Sequence, residues 1–171
     1  MSVVATGVSE RASELRREFD HAFAEPARAA VAGKEDLIGL RIAGQAYAIR
    51  LGEIAGLHAE KKVTRVPGGA AALRGIAGFR GALLPVYDLA MLLGYARAEA
   101  PRWLVVAAGA PVALAFERFE GQLRVSRNEI LVQAAGPDAA GAGGEIVRRK
   151  DFLGSVLHVP SVIEAIKAVK A

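Results

Sequence analysis

The chain has 171 residues, 53% of them apolar, 23% charged and 6% aromatic, a composition that specifies one globular domain, or two small subdomains, packed mainly with aliphatic side chains. It contains no cysteine, which excludes a disulfide framework, an iron–sulfur cluster, a thiolate zinc site and a cysteine nucleophile. The net charge of +4 is dispersed: no fifth of the chain exceeds a net +2, and aromatic residues do not interleave with the basic ones, so no nucleic-acid partner is expected.

The first predicted element is a helix. Ser9 and Ser13 are candidate N-caps, and Leu15, Phe19 and Phe23 recur every four residues, with charged residues on the other faces. Pro26 interrupts this pattern, and Gly33-Lys34-Glu35-Asp36 links the helix to the main domain. Residues 1–33 are therefore expected to be an N-terminal helical extension, and residues 34–171 the main domain. The apolar stripe either docks on its own domain or engages a partner. No basic stretch precedes an apolar core here, so no secretory signal is expected. The longest uncharged run, Trp103 to Phe116, is broken by Gly109 and Pro111 and falls short of the roughly 20 residues needed to cross a bilayer. A cytoplasmic protein with no direct membrane insertion is expected.

From Leu37 the apolar rhythm shortens to that of strands. Residues 37–42 and 46–50 read as two strands around a tight turn at Gly44-Gln45, and 51–57 as a short helical turn. Residues 63–66 read as a short extended piece broken by Pro67-Gly68-Gly69. Strands at 73–79 and 82–87 meet across Arg80-Gly81, and Leu89 to Leu93 makes a turn of helix ending at Gly94. Further strands are expected near 102–108, 111–117, 121–125 and 153–158. The Gly/Ala-rich stretch 134–145 reads as a mobile loop, and a C-terminal helix spans Ser161 to Val169. The pattern is mainly β and barrel-like. There is also an internal echo: PVYDLAMLL (85–93) aligns without gaps to SVLHVPSVI (155–163), which suggests two similar subdomains, each with a strand that finishes in a helical plug.

No constellation in the sequence carries chemistry. Gly154-Ser155 with His158 lies in an alternating apolar run and lacks a GxSxG elbow, and the three histidines are too scattered for a metal motif. Asp88 is the sole carboxylate between Glu60 and Glu99, and its natural role is to cap the helical turn at Leu89. GAGG (141–144) has neither a preceding strand nor the Lys-Ser/Thr of a phosphate loop. The glycines of GIAGFRG (75–81) fit a bend or bulge in a barrel strand. No catalytic residue, metal or cofactor is expected, and a binding or scaffolding module is favoured over an enzyme.

Val66-Pro67 followed by LRGIAGFRGALLPVYDL (73–89), together with LIGLRIAGQAYAIRLGEIAGL (37–57), resembles the CheW family of chemosensory adaptor domains. Weaker similarity continues through VALAFERFEGQLRV (112–125) and VLHVPSVIEAI (156–166). The resemblance implies two intertwined, SH3-like, five-stranded β-barrel subdomains around a shared core. It implies a non-enzymatic role: coupling the cytoplasmic tip of a chemoreceptor to the regulatory domain of a CheA-type sensor histidine kinase, within clustered arrays. Carried over position by position, the receptor-binding residues are Ile54, Leu57, Gly75 and Arg80. Each also has a plain structural reading, as core for Ile54, a bulge for Gly75 and a solvated turn charge for Arg80. The chain departs from the family pattern at Gly56 (acidic in the family), Ala70 (Pro), Gly78 (Asn), Phe116-Glu117 (Val-Asp) and His158 (Asp). These departures leave open a specialised accessory protein that binds receptor or another CheW-like protein without the kinase. A small-ligand-binding or enzymatic β-barrel is the remote alternative.

Overall fold

The computed structural model describes residues 33–132 and 142–170; the helix expected from Leu15, Phe19 and Phe23 lies outside them. Eleven strands occur among the described residues: β1 (Lys34–Ile42), β2 (Gln45–Arg50), β3 (Ile54–Ala59), β4 (Leu73–Phe79), β5 (Ala82–Asp88), β6 (Trp103–Ala107), β7 (Ala113–Phe116), β8 (Arg118–Ser126), β9 (Ile130–Val132), β10 (Ala142–Arg148) and β11 (Leu153–Leu157). Two helices, α1 (Leu89–Leu92) and α2 (Val159–Lys170), come directly after β5 and β11.

The strands form two sheets, ordered β8-β1-β2-β11-β10-β9 and β3-β6-β7-β5-β4. Each sheet contains two hairpins joined by one parallel pair, β2 with β11 and β5 with β7. Each is completed by a strand that comes after a hairpin of the other sheet. β3 leaves β2 and pairs with β6, whereas β8 leaves β7 and pairs with β1. This exchange is the intertwining that the family resemblance implies. The six-stranded sheet is a five-stranded unit whose last strand is broken. β8 and β9, its two edges, are joined by the single 3₁₀ turn Arg127–Glu129, which is held by a capping box in which the Ser126 N–H donates to Glu129 Oε2 at 2.7 Å.

Three apolar cores result. Leu37, Val125, Phe152 and Val156 fill one sheet, and Phe79, Val86, Leu104 and Ala115 fill the other. A larger core lies between the sheets and includes Ile38, Leu40, Ile49, Leu89, Leu114 and the α2 residues Val162, Ile163 and Ile166. Leu37 and Ile38 thus point into different cores, which is why β1 reads as a continuous apolar run and not as a strict alternation. Each such buried aliphatic contributes roughly 2 kcal/mol.

Several boundaries differ from the sequence reading. The first hairpin turns at Ala43-Gly44, both with positive φ, and pairs Ile42 with Gln45; the turn is thus one residue earlier than expected. Residues 54–57 belong to strand β3, because only Leu51–Glu53 is helical and the pairing demand of β6 claims the rest. The stretch expected as a loop over 134–145 already contains the start of β10, which pairs with β11 and β9 on either side. Its Gly/Ala composition hides a strand whose order comes from its neighbours.

The internal echo is realised as two strand–helix units, β5–α1 and β11–α2, with different caps. Asp88 is fully buried. Its Oδ1 accepts from the N–H groups of Ala90 and Met91 at 3.1 and 3.3 Å, and its Oδ2 from Arg74 Nη1 at 2.5 Å. At the equivalent position His158 meets Ser161 Oγ through Nδ1. The α2 N-terminus is instead capped from a distance, as the Val159 N–H donates to Glu53 Oε2 at 2.7 Å. Asp88→Ala is expected to lower stability by about 3–5 kcal/mol, since it strands a half-buried arginine and uncaps α1. Glu53→Ala should cost only ~1 kcal/mol, and less in a His158→Asp background where a local cap is regained. Urea denaturation of the wild type, the three single variants and the Glu53→Ala/His158→Asp double variant measures both.

Candidate functional site

The two edges of the five-stranded sheet, β3 and β4, meet along a seam made by the segment after Ala59. Thr64 and Ile76 exchange backbone hydrogen bonds at 2.8 and 2.9 Å, and Lys61 Nζ donates to the Gly78 carbonyl at 3.2 Å. Gly75 permits this closure. It has φ +144, and a Cβ there would lie 2.0 Å from the Thr64 carbonyl oxygen. A bulge at this point shifts the register of β4 against β5.

At the end of the seam the His58 ring stands edge-on to Phe79, with centroids 5.0 Å apart, and Lys61 Nζ lies 5.6 Å from the Phe79 centroid. A Cβ at Gly56 would come within 3.0 Å of His58 Nε2, so the imidazole occupies space that a side chain at 56 would contest. Burial, and then the positive charges of Lys61 and Arg80, hold the His58 pKa below the usual histidine value.

The four residues expected to bind a receptor are placed unequally. Arg80 is exposed at the β4–β5 turn, where it adopts a left-handed conformation with φ +47. Gly75 is buried and shapes the backbone path of Thr64 and Arg65. Ile54 and Leu57 are half-buried and pack against the central core. Gly75 and Arg80 lie on the seam, and Leu57 adjoins it through His58. Ile54 sits at the far end of β3, roughly 10 Å along the strand.

A second kind of surface escaped the sequence reading. Leu83 and Leu153 are 72% and 66% exposed, and they occupy the same place in the two sheets, seventy residues apart as in the internal echo. Leu83 pairs with Gly78 and Leu153 with Arg148. Around Leu153, the side chains of Leu131, Val132, Ile146 and Arg148 line a groove of about 450 Å³. A neighbouring cleft of about 380 Å³ is walled by Gln45, Tyr47, Tyr95 and Ser155. The Tyr47 and Tyr95 hydroxyls are 2.7 Å apart. Burial, reinforced by this hydrogen bond, pushes the Tyr47 pKa above its ordinary range, so the cleft offers neutral hydrogen-bonding groups. The signal for these leucines was present in the echo, but inside GALLPVY and DFLGSVL they look like ordinary strand apolar residues.

Exposed aliphatics, a cationic end and neutral hydroxyls equip the surface for non-covalent docking. Among the described residues, no group of three or more His, Cys, Asp or Glu side chains could hold a metal ion. No helix among them is long and apolar enough to cross a membrane.

Residues 36–167 match the family model of the CheW-like domain. The crystal structure of the scaffolding protein TtCheW from Thermoanaerobacter tengcongensis shares the fold, with a TM-score of 0.64 at 16% sequence identity over 72% of this chain and 88% of that one. A search of curated proteins finds no match.

Gly75→Ala is expected to destabilise the protein by about 3 kcal/mol or more, through strain at positive φ and collision with the Thr64 carbonyl. Gly78→Ala, with nothing within 4 Å of the added carbon, should change stability by less than about 0.5 kcal/mol. Parallel urea titrations test the contrast.

Proposed function

The chain belongs to the CheW-like domain family, and from that premise we propose that it is a non-enzymatic cytoplasmic adaptor coupling chemoreceptor tips to a CheA-type histidine kinase. The observation that carries this reading is the pair of exposed leucines, Leu83 and Leu153, one on each sheet at equivalent positions. A bridging protein needs more than one docking surface, and here the repeated fold supplies a related surface on each half. Coupling then arises if contact free energies differ between receptor states, because each partner biases the conformation that the other sees.

In this reading the receptor engages the exposed guanidinium of Arg80 and the accessible edges of Ile54 and Leu57, while Gly75 maintains the backbone on which they are carried. Arg80 presents a planar, multi-donor head suited to carboxylate or carbonyl groups of a helical hairpin. The kinase regulatory domain, or another CheW-like protein, docks on the apolar faces around Leu83 and Leu153.

The test is calorimetric titration with the regulatory domain of the cognate kinase and, separately, with the receptor cytoplasmic hairpin. Binding of both is expected. Leu153→Asp or Leu83→Asp should weaken kinase-domain binding at least tenfold while leaving the hairpin affinity within about twofold, because exposed aliphatics at an interface centre act as anchors. Arg80→Ala should do the reverse. Hairpin binding without kinase binding identifies the specialised accessory protein, and binding of neither refutes the adaptor reading.

A further inference from the structure

Many arginines of the described residues meet a carboxylate: Arg41 pairs with Glu120, Arg50 with Glu35 and Glu145, Arg74 with Asp88, and Arg149 with Asp151. The seam differs. Lys61, Lys62, Arg65 and Arg80 form no ion pair among the described residues, and all four are exposed. Between Ile54 and Tyr87 the sole carboxylate is Glu60, and Arg102 engages it. Two of these cations also converge in space, and Arg65 lies farther along the seam beside Gly75. Lys61 is anchored over Phe79 and on the Gly78 carbonyl, one and two residues from Arg80, and both cations act on the His58 ring.

We propose that this edge of the five-stranded sheet, a strip running along the seam from Arg80, Lys61 and His58 to Lys62 and Arg65, is a docking surface for an acidic protein segment, such as a helix face bearing several carboxylates. The proposal deepens the receptor-side reading of Arg80 and extends it to residues that no family motif marks. Charge complementarity argues for this occupant. The free surface stores like-charge repulsion that an anionic partner relieves. Single exposed ion pairs contribute little, so the patch works collectively, speeds encounter and weakens as salt screens it. Lys61 is pre-positioned by Phe79 and the Gly78 carbonyl, which reduces the ordering cost of its side chain on binding.

His58 makes the docking pH-dependent. The charged groups facing it are Lys61 on its own chain segment and Arg80 from the β4–β5 turn, since Glu60 is held by Arg102. A docked carboxylate opposes those cations and raises the His58 pKa, so docking takes up a proton. Affinity therefore increases as pH falls from the bound-state value towards the lowered free-state value, below the ordinary histidine pKa, and levels off beyond it.

The experiment titrates the full-length, isotope-labelled protein with hexaglutamate at low salt and tracks amide shifts, with the receptor hairpin titrated in parallel. Expected are shifts centred on His58, Lys61, Gly78 and Arg80, an affinity that rises from pH 7.5 to 6, and a loss of roughly tenfold in Lys61→Ala/Lys62→Ala/Arg65→Ala. Because Lys61 also contacts Gly78, the double variant Lys62→Ala/Arg65→Ala provides a check free of that contact, and a loss of roughly threefold or more is expected there. Shifts centred elsewhere, no shifts, or tighter binding of an oligothymidylate than of the peptide would overturn the proposal. Hexaglutamate binding at the seam with no hairpin binding refutes the receptor reading and leaves the acidic-segment surface standing. Hairpin binding that the variants do not alter, with no peptide shifts at the seam, refutes the surface and leaves the adaptor reading intact.

Discussion

Each sheet depends on a strand that the other half of the chain delivers. β3 emerges from the hairpin of one sheet and completes the other, and β8 returns the exchange. Neither sheet can close on its own contiguous residues, so the two halves and the core between them must form together. The arrangement costs loop-closure entropy, because β1 meets β8 only after some eighty residues of intervening chain. In return it buries apolar residues on both faces of β1 and β2, which a single open sheet would leave half solvated.

The polar groups inside this fold serve the same joint. Asp88 caps α1 and holds Arg74, whose Nη1 also donates to the Ala98 carbonyl at 2.8 Å, tying the α1–β6 connection to β4. Glu53 sits where β2 hands the chain to β3. Its carbonyl accepts from the Ala108 N–H at 3.0 Å, and its carboxylate caps α2. The crossover, the β6–β7 hairpin and the C-terminal helix are thus fastened at one residue. The rings of Trp103 on β6 and Phe119 on β8 meet at a tilt with centroids 5.2 Å apart and brace the opposite exchange. Replacement of an aspartate-type cap by His158 is tolerated because a distant carboxylate already occupies the vacant role.

The exposed features are what this packing leaves over. Leu83 and Leu153 are strand residues whose face extends beyond the central core, so the repeat that builds the fold also duplicates an apolar surface. The cationic seam arises where the chain overshoots β3 and runs on antiparallel to β4, from Lys61 beside the turn that presents Arg80 to Arg65 beside Gly75. Neither surface requires a special structural element. Both arise from where the strands stop.

The amino-acid sequence by itself determined the mainly β class, the hairpins at Arg80-Gly81 and after Ile42, the capping role of Asp88 and the twofold echo of strand and helix. These are local properties: turn glycines, apolar alternation and a carboxylate placed before a helical turn act over a few residues. It also carried the family likeness in the run from Leu73 to Leu89. Tertiary structure alone decided that β3 and β8 change sheets, that a Gly/Ala-rich stretch enters strand β10, and that Glu53 caps a helix 106 residues away. It alone joined His58 and Lys61 to Arg80, and showed Leu83 and Leu153 to be exposed. The reason is that these outcomes depend on pairing and burial between segments distant in the chain, and a residue's own type does not encode which neighbour will cover it.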